Sequence, residues 1–427
     1  MRNRSVSISK VACGIVATLF LSGVSMSAQY LTPSSRGFMQ IDEVKAGMKG
    51  TASTVFKGSE PTQFDVEILG VVPGMVGPKQ DMILCRISGG ETDRTFVFAG
   101  MSGSPVVVDG KLVGAIAYAF PFSKEPICGI TPIGQMIESF GGTPESPRVS
   151  AKAVSRQDIY PEIGSSDASL NIFGGATVTR QVSGPLSDLS GGTFRPIATP
   201  ISFSGISQAT LDLFSREISS AGLVPVSAPA GSAVVGGVKT SDSQTLSGGK
   251  SITVLLARGD YTLAASGTVT LRDGNRIYAF GHKFLAIGGT DAPMLESSVV
   301  GVVPSLNNSF KVTVPGEMVG AISQDRQLGV LGTLGAAPKM IPVSIRFKNS
   351  LGRSAEYKFE MVTDEFLSPL LLNIGAANAI LANERSIGEL TIELSSKIIL
   401  ESGKEMSVSR RTSGQAAVPA ASLSVAM

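Results

Sequence analysis

The chain has 427 residues, a length that favours roughly two to three domains. Its formal net charge of +2 leaves no electrostatic footprint for nucleic acid or an anionic membrane surface, so neither partner is expected. Hydrophobic residues make up 43% of the chain, which suffices for a large packed core, and 49 glycines with no tryptophan are typical of a turn-rich protein. Together with many Val, Ile, Ser and Thr residues, this composition predicts a mainly β fold.

Residues 1–28 are predicted to be a signal peptide. Residues 1–4 and Lys10 form a basic n-region, and residues 11–26 are an apolar stretch too short for a comfortable membrane span. Small residues at 25–28 suit signal peptidase, with cleavage after residue 27 or 28. We expect an exported chain, periplasmic or extracellular, with no stable membrane span after cleavage. The alternative is an uncleaved N-terminal anchor.

Export would leave two cysteines, because Cys13 lies inside the apolar stretch. Cys85 and Cys128 both lie in apolar, strand-like runs. Either they form one disulfide, as an oxidising compartment allows, or they are two buried free thiols. The chain has no CxxC motif and no His/Cys cluster, so we expect neither a metal site nor a cofactor.

Residues 38–142 predict a β-rich unit that ends in one helix. Phe64–Gly70 alternates apolar and polar residues with period two, and Met82–Ile87 is a further strand. The helix begins at Thr131-Pro132, with a cap residue and a proline at its first position, and Gly141-Gly142 ends it.

A tight glycine turn followed by a hairpin occupies residues 99–120 of this unit. Residues 106–108 form a β-branched run, Asp109-Gly110 is a hairpin signal, and residues 112–120 form the return strand. Ahead of the hairpin, Ser102 and Ser104 lie among small residues that let the backbone bend sharply and approach a ligand.

The turn has two possible roles. A nucleophilic serine needs such a turn, with free N–H groups beside it to hold an oxyanion, and those around Gly100 to Ser102 would serve. The alternative is an ordinary glycine–serine turn between two strands.

The remainder of the chain divides into three predicted parts. Residues 143–250 read as a linker with a helical insertion, whose one clear helix is capped by Ser207 and stopped by Gly222. Residues 251–402 are strongly β again, with a hairpin signal at Asp273–Asn275. Residues 403–427 are rich in Ser and Ala and are predicted to be a disordered tail.

His282 is the only histidine of the chain and follows a glycine at the end of a predicted strand. Serine nucleophiles usually need a general base, most often histidine, so His282 is the one available partner for Ser102. A Ser–Lys dyad is the other catalytic option, with Lys111 and Lys124 nearby in sequence. A histidine that merely satisfies local hydrogen bonds is the structural alternative.

The run Gly100-Met-Ser-Gly-Ser-Pro105, with the hairpin after it, resembles the SpoIVB-type serine peptidases. Phe280-Gly-His282 resembles that family's Gly-His motif, and the likeness extends over most of residues 38–365. The resemblance implies a chymotrypsin-like double β-barrel core, with Ser102 as the nucleophile and His282 as the base.

Two features depart from the family pattern. In the SpoIVB-type peptidases the histidine segment precedes the serine segment, whereas here Ser102 comes first, as in a circular permutation. The triad geometry does not depend on chain order. The family's acidic residue would fall near Ser88-Gly89, where no acid stands. Four acids therefore remain candidates for that role: Asp81, Glu91, Asp93 and Asp325.

The sequence thus predicts an exported serine endopeptidase, or a self-processing peptidase, that acts on a protein or peptide substrate. Its core would be a double β-barrel built from two segments, with a few peripheral helices. The alternative is a non-catalytic, secreted β-rich binding or structural protein that retains a peptidase fold.

Overall fold

The computed structural model describes residues 37–120, 123–141, 194–227, 237–306, 308–384 and 389–426. The predicted signal peptide and residues 143–193 of the predicted linker lie outside the described residues. None of the helices in the described ranges is long and apolar enough to cross a bilayer.

Nineteen strands and five helices are named here in chain order for the described residues. The strands are β1 (Lys49–Thr54), β2 (Thr62–Gly77), β3 (Gln80–Ser88), β4 (Pro105–Val108), β5 (Lys111–Ala119), β6 (Ile127–Pro132), β7 (Arg195–Pro196), β8 (Thr199–Ser204), β9 (Leu223–Ser227), β10 (Ser251–Gly259), β11 (Thr262–Asp273), β12 (Arg276–Ala279), β13 (Gly288–Val303), β14 (Phe310–Arg326), β15 (Gly329–Leu334), β16 (Met340–Lys348), β17 (Ser354–Val362), β18 (Leu390–Ile399) and β19 (Glu405–Gly414). The helices are α1 (Thr92–Thr95), α2 (Ile133–Glu138), α3 (Gln208–Ser220), α4 (Leu367–Leu381) and α5 (Ala417–Ala426).

The first six strands close into an antiparallel barrel in the order β4-β1-β2-β3-β6-β5, and the β4–β5 pairing completes the circle. Its interior is filled by β-branched and other apolar residues that alternate along the strands, among them Val66, Ile68, Ile87 and Ile116. The Asp109-Gly110 turn joins β4 to β5, as the sequence predicted.

A second sheet also closes into a ring, in the order β10-β13-β14-β15-β12-β11, with the β10–β11 pairing as its closure. Strand β8 extends it along β11, β9 pairs with β8 in parallel, and β17 and β16 extend it along β10. The predicted mainly β, double-barrel fold is confirmed. The described chain builds it from two consecutive segments, and α4 packs against the second sheet with eleven of its fifteen residues buried.

The two barrels pack directly on one another. Ala115 of β5 and Ile133 of α2 share a buried cluster with Tyr278 of β12 and Leu331 of β15. The α2 helix begins after Pro132, one residue beyond the start expected from the Thr-Pro pair. Packing between the barrels places the middle of β11 and the end of β12 beside the turn that precedes β4.

Part of the predicted linker and the predicted disordered tail have regular secondary structure instead. Residues 223–227, inside the stretch read as loop, form β9, because their apolar side chains lie beside β8. The tail predicted to be disordered forms β19, which pairs with β18 along its whole length, and then α5. Val418 and Ala421 of α5 are buried in the core of the second barrel, and that burial explains why an Ala- and Ser-rich sequence is ordered here.

Candidate functional site

The Ser102 turn is held by its carbonyl groups. Gly100 and Gly103 have φ of +94° and +97°, a backbone conformation that favours glycine. The carbonyls of residues 100 to 104 all accept hydrogen bonds, and those of Gly100, Ser102 and Gly103 accept from the second barrel. The Thr268 N–H donates to the Ser102 carbonyl at 2.9 Å, and its hydroxyl donates to the Gly100 carbonyl at 3.0 Å.

The backbone N–H groups of this turn are only partly hydrogen-bonded. The N–H groups of Met101, Gly103 and Ser104 donate to backbone carbonyls, whereas within the described residues those of Gly100 and Ser102 donate to none. Two free donors, on the serine and on the residue two positions before it, have the spacing of the oxyanion hole in the Ser-His-Asp template. This arrangement suits a developing negative charge on a substrate oxygen.

His282 lies three residues after the end of β12, on a backbone turn that begins with a strained residue. Phe280 has φ of +70°, which is rare for a bulky side chain, and Gly281 has φ of +71°. A Cβ on Gly281 would lie 2.8 Å from the Cβ of Ala115, so glycine is required for β5 to approach this closely. The turn thus presses the histidine segment against the serine-bearing barrel.

The hydrogen bond of the imidazole determines its tautomer. Nδ1 of His282 lies 2.7 Å from the carbonyl oxygen of Lys283, and because a carbonyl only accepts, Nδ1 carries the proton of the neutral ring. Nε2 is then the unprotonated nitrogen, and it has no hydrogen-bond partner among the described residues. Burial lowers the pKa of His282 to about 4, so the ring is neutral at physiological pH and available as a base.

The structure brings the serine turn and the histidine turn to the same strand, β11. The carbonyl of Thr268 accepts from the Phe280 N–H at 3.2 Å, while the N–H of the same residue holds Ser102. A Cβ placed on Gly103 would lie 2.6 Å from the Phe280 nitrogen. The two turns are therefore in direct backbone contact.

Each of these two turns carries one buried side-chain atom without a partner. Ser102 Oγ and His282 Nε2 are buried and make no hydrogen bond among the described residues, so they do not bond to each other in this conformation. Buried polar atoms without partners are rare and often mark a functional site.

Asp325 is the one acidic candidate that reaches the histidine segment. Its carboxylate accepts from the N–H groups of Phe284 and Leu285 at 2.8 and 2.6 Å, and so orders the loop that follows His282. Burial raises the pKa of Asp325, against the lowering effect of those backbone N–H groups. The Nδ1 position that a triad acid would occupy is taken by the Lys283 carbonyl.

The other three acids bond elsewhere. Asp81 accepts from the Gly74 N–H and from Gln135, Glu91 pairs with Arg94, and Asp93 accepts from the Gly89 N–H. In the described ranges, no cluster of three His, Cys, Asp or Glu residues has the arrangement of a metal site.

Lys311, on β14, is a buried lysine that the sequence analysis did not single out. It is 1% exposed, and its Nζ lies 2.8 Å from Thr54 Oγ1 and 3.1 Å from Thr268 Oγ1. Burial lowers its pKa to about 7. Its carbon stem packs against Gly100, within 3.2 Å of where a Cβ would stand. No local sequence signal marks it, because its partners come from β1 and β11.

The lysines proposed from the sequence lie away from this network. Lys111 forms an ion pair with Glu43 at 2.6 Å, and Lys124 is exposed. The two cysteines are directly opposite each other on β3 and β6, with their sulfur atoms 2.9 Å apart in the core of the first barrel.

Comparison with known proteins finds a similarity over the serine-bearing segment. Residues 9–136 match the protein-family model of the SpoIVB peptidase S55 family, which is a family of serine peptidases. The match includes the Ser102 turn, ends before His282 and covers less than half of the chain. No curated protein and no solved structure matched.

Proposed function

We propose that the chain is an exported serine endopeptidase in which Ser102 is the nucleophile and His282 the general base. The single observation that carries the proposal is the pair of buried atoms without partners, Ser102 Oγ and His282 Nε2, on two turns that contact each other. The family match over the serine-bearing segment supports the same chemistry.

In the proposed reaction, Ser102 Oγ attacks the carbonyl carbon of the scissile peptide bond while His282 Nε2 takes its proton. The negative charge moves to the carbonyl oxygen, which the free N–H groups of Gly100 and Ser102 would hold. As the C–N bond breaks, the imidazolium returns the proton to the leaving amine. Water then hydrolyses the acyl-enzyme by the same route in reverse, and free Ser102 is restored.

The Lys283 carbonyl takes over part of what a triad acid does. It fixes the imidazole in the tautomer with Nε2 free, and Asp325 orders the loop that carries this carbonyl. A neutral carbonyl stabilises the imidazolium less than a carboxylate does, so we expect a slower enzyme than one with a complete triad. Export, with cleavage after residue 27 or 28, and self-processing belong to the same proposal.

The test is covalent labelling by a fluorophosphonate, which phosphonylates an activated serine. The mature chain should be labelled at Ser102, Ser102→Ala should abolish the signal, and His282→Gln should reduce its rate by about 100-fold or more. Ser215→Ala, an exposed serine of α3, is the matched control and should label like the wild type. Circular dichroism confirms that each variant is folded.

A second candidate, a non-catalytic protein that retains the fold, is favoured by one observation. Ser102 and His282 are 0% and 2% exposed, so no substrate reaches them in this conformation. If neither the wild type nor Ile197→Ser, which removes an apolar anchor of the segment beside the site, is labelled at Ser102, this candidate replaces the peptidase.

A further inference from the structure

The segment of residues 194–200, here called the strap, crosses from the first barrel to the second. Arg195 and Pro196 pair antiparallel with Ala119 and Tyr118 on the edge of β5. The Ile197 N–H then donates to the Ala117 carbonyl at 2.8 Å. Beyond this point the chain enters β8 and becomes part of the second sheet.

The strap pairs with the edge of β5 immediately after the residue that bonds to the Ser102 turn, here also called the nucleophile turn. Ile116 makes both of its hydrogen bonds on this edge to the turn, accepting from the Gly103 N–H and donating to the Ser104 carbonyl. The next residue, Ala117, already bonds to the strap. The nucleophile turn and the strap therefore bond to adjacent residues on the same edge of β5.

Two apolar side chains anchor the strap against the site. Ile197 is 3% exposed and lies in the core of the first barrel. The Cγ of Pro200 lies 3.1 Å from where a Cβ of Gly100 would stand, so this ring covers the glycine that carries one of the two free amides. The strap thus contacts the turn that would form the oxyanion hole.

We propose that the edge of β5 at residues 117–119 is a docking edge for extended peptide segments, and that the strap occupies it in cis and keeps the site closed. Its consequence, autoinhibition, rests on the proposed peptidase function, whereas the docking edge does not. Strand addition to an exposed edge supplies main-chain hydrogen bonds to an incoming peptide without demanding a particular sequence. Displacing residues 194–197 would free the Ala117 carbonyl, and Gly100 would be uncovered if Pro200 moved with them.

The first residues of the strap, 194–196, are held weakly, whereas Ile197 is buried and Thr199 and Pro200 pair with β9. The ladder of the strap with β5 has only two paired positions and one further hydrogen bond, and both Arg195 and Pro196 are exposed. Segments with few buried contacts and exposed hydrogen bonds open at lower free energy than the core. Substrate or another extended chain would compete for the same edge.

The first experiment locks the strap reversibly. Ala119 and Arg195 are direct partners, so the double variant Ala119→Cys/Arg195→Cys can be joined by a disulfide when oxidised glutathione takes up the two thiol hydrogens. The matched control pairs Ser344→Cys with Lys358→Cys, which are direct partners in β16 and β17, remote from the site. We expect fluorophosphonate labelling at least tenfold slower in the oxidised lock than in its reduced form, with no change in the control.

The second experiment needs no catalysis. A fluorescent peptide with the sequence of residues 194–200 should bind Ser102→Ala/Ile197→Ser, whose strap has lost its anchor, and should not bind the oxidised lock in the Ser102→Ala background. Ile201→Ser is the control, because this equally buried residue lies in β8 beyond the strap.

The two readouts separate the two proposals. Peptide binding that the lock abolishes, with no labelling of any variant, refutes the peptidase and retains the strap. Labelling that is equal in the oxidised and reduced lock overturns autoinhibition, and absence of peptide binding to the Ile197→Ser variant overturns the docking edge.

Discussion

Replacing the buried amine of Lys311 should change how the stability of the protein depends on pH. Lys311→Met keeps the length and apolar character of the stem and removes the titrating group. The hydroxyls of Thr54 and Thr268 stay bonded to each other at 3.2 Å, and the latter still donates to the Gly100 carbonyl. The variant therefore leaves no buried hydroxyl without a partner.

The magnitude follows from the difference in proton affinity. Lys311 has a pKa of about 7 in the fold, because burial disfavours the ammonium, against 10.5 for a solvated lysine. Between these values the unfolded chain binds more protons, so the free energy of unfolding rises with pH. The full slope is about 1.4 kcal/mol per pH unit, and it is smaller near each pKa, where the two states differ by less than one proton, so the gain from pH 7 to pH 10 is about 3.5 kcal/mol. Losing the two hydrogen bonds of the amine costs about 2 kcal/mol.

These two effects make the stability curves of the wild type and the variant cross. Lys311→Met should be more stable than the wild type by about 2 kcal/mol at pH 7 and less stable by about 1 kcal/mol at pH 10. Urea unfolding followed by circular dichroism at pH 7, 8, 9 and 10 measures both. Lys348→Met, an exposed lysine of β16, should give a curve parallel to the wild type. A constant difference between wild type and Lys311→Met across this range would refute the reasoning.

Three further predictions concern the site and its barrel. The rate of Ser102 labelling should fall only as the pH drops through about 4, because burial lowers the pKa of His282 and the neutral ring is the base. A fall in the labelling rate near pH 6.5 would contradict this prediction. Gly103→Ala should lower the free energy of unfolding by more than about 3 kcal/mol, because its Cβ would lie 1.9 Å from the Thr268 carbonyl oxygen at a positive φ. The control is Gly352→Ala, which has a positive φ and open space around it and should cost about 1–2 kcal/mol. Urea unfolding measures both. Oxidised glutathione should convert Cys85 and Cys128 to a disulfide, seen as the loss of two hydrogens in the intact mass. The disulfide should raise the free energy of unfolding by up to about 4 kcal/mol. Two thiols that still react with a thiol reagent in the unfolded, oxidant-treated chain would contradict this prediction.

The sequence was most informative where the chemistry is local. The turn at Gly100–Pro105 and the hairpin after it depend on residues next to one another, and the structure has both where the pattern predicts them. The double barrel itself came from the family resemblance, because alternation identifies strands and not their pairing order.

The features that escaped the sequence depend on contacts between distant segments. The Nζ of Lys311 bonds to a hydroxyl 257 positions away in the chain, and no window of residues reveals such a partner. The Lys283 carbonyl bonds to His282 through backbone geometry, which side-chain patterns do not encode. The order of the tail depends on Val418 and Ala421 finding a site in the second barrel, so its polar composition alone was misleading.

The division of the proposed site between two barrels has a consequence for the order of synthesis. The first barrel, with the nucleophile turn, is complete in sequence long before the segment with His282 leaves the ribosome, and N-terminal domains generally fold first. A nascent or partly exported chain would therefore carry a serine without its base. If the proposed function holds, such a chain lacks its general base until the second barrel has formed, so completion of the second barrel sets the moment at which activity begins.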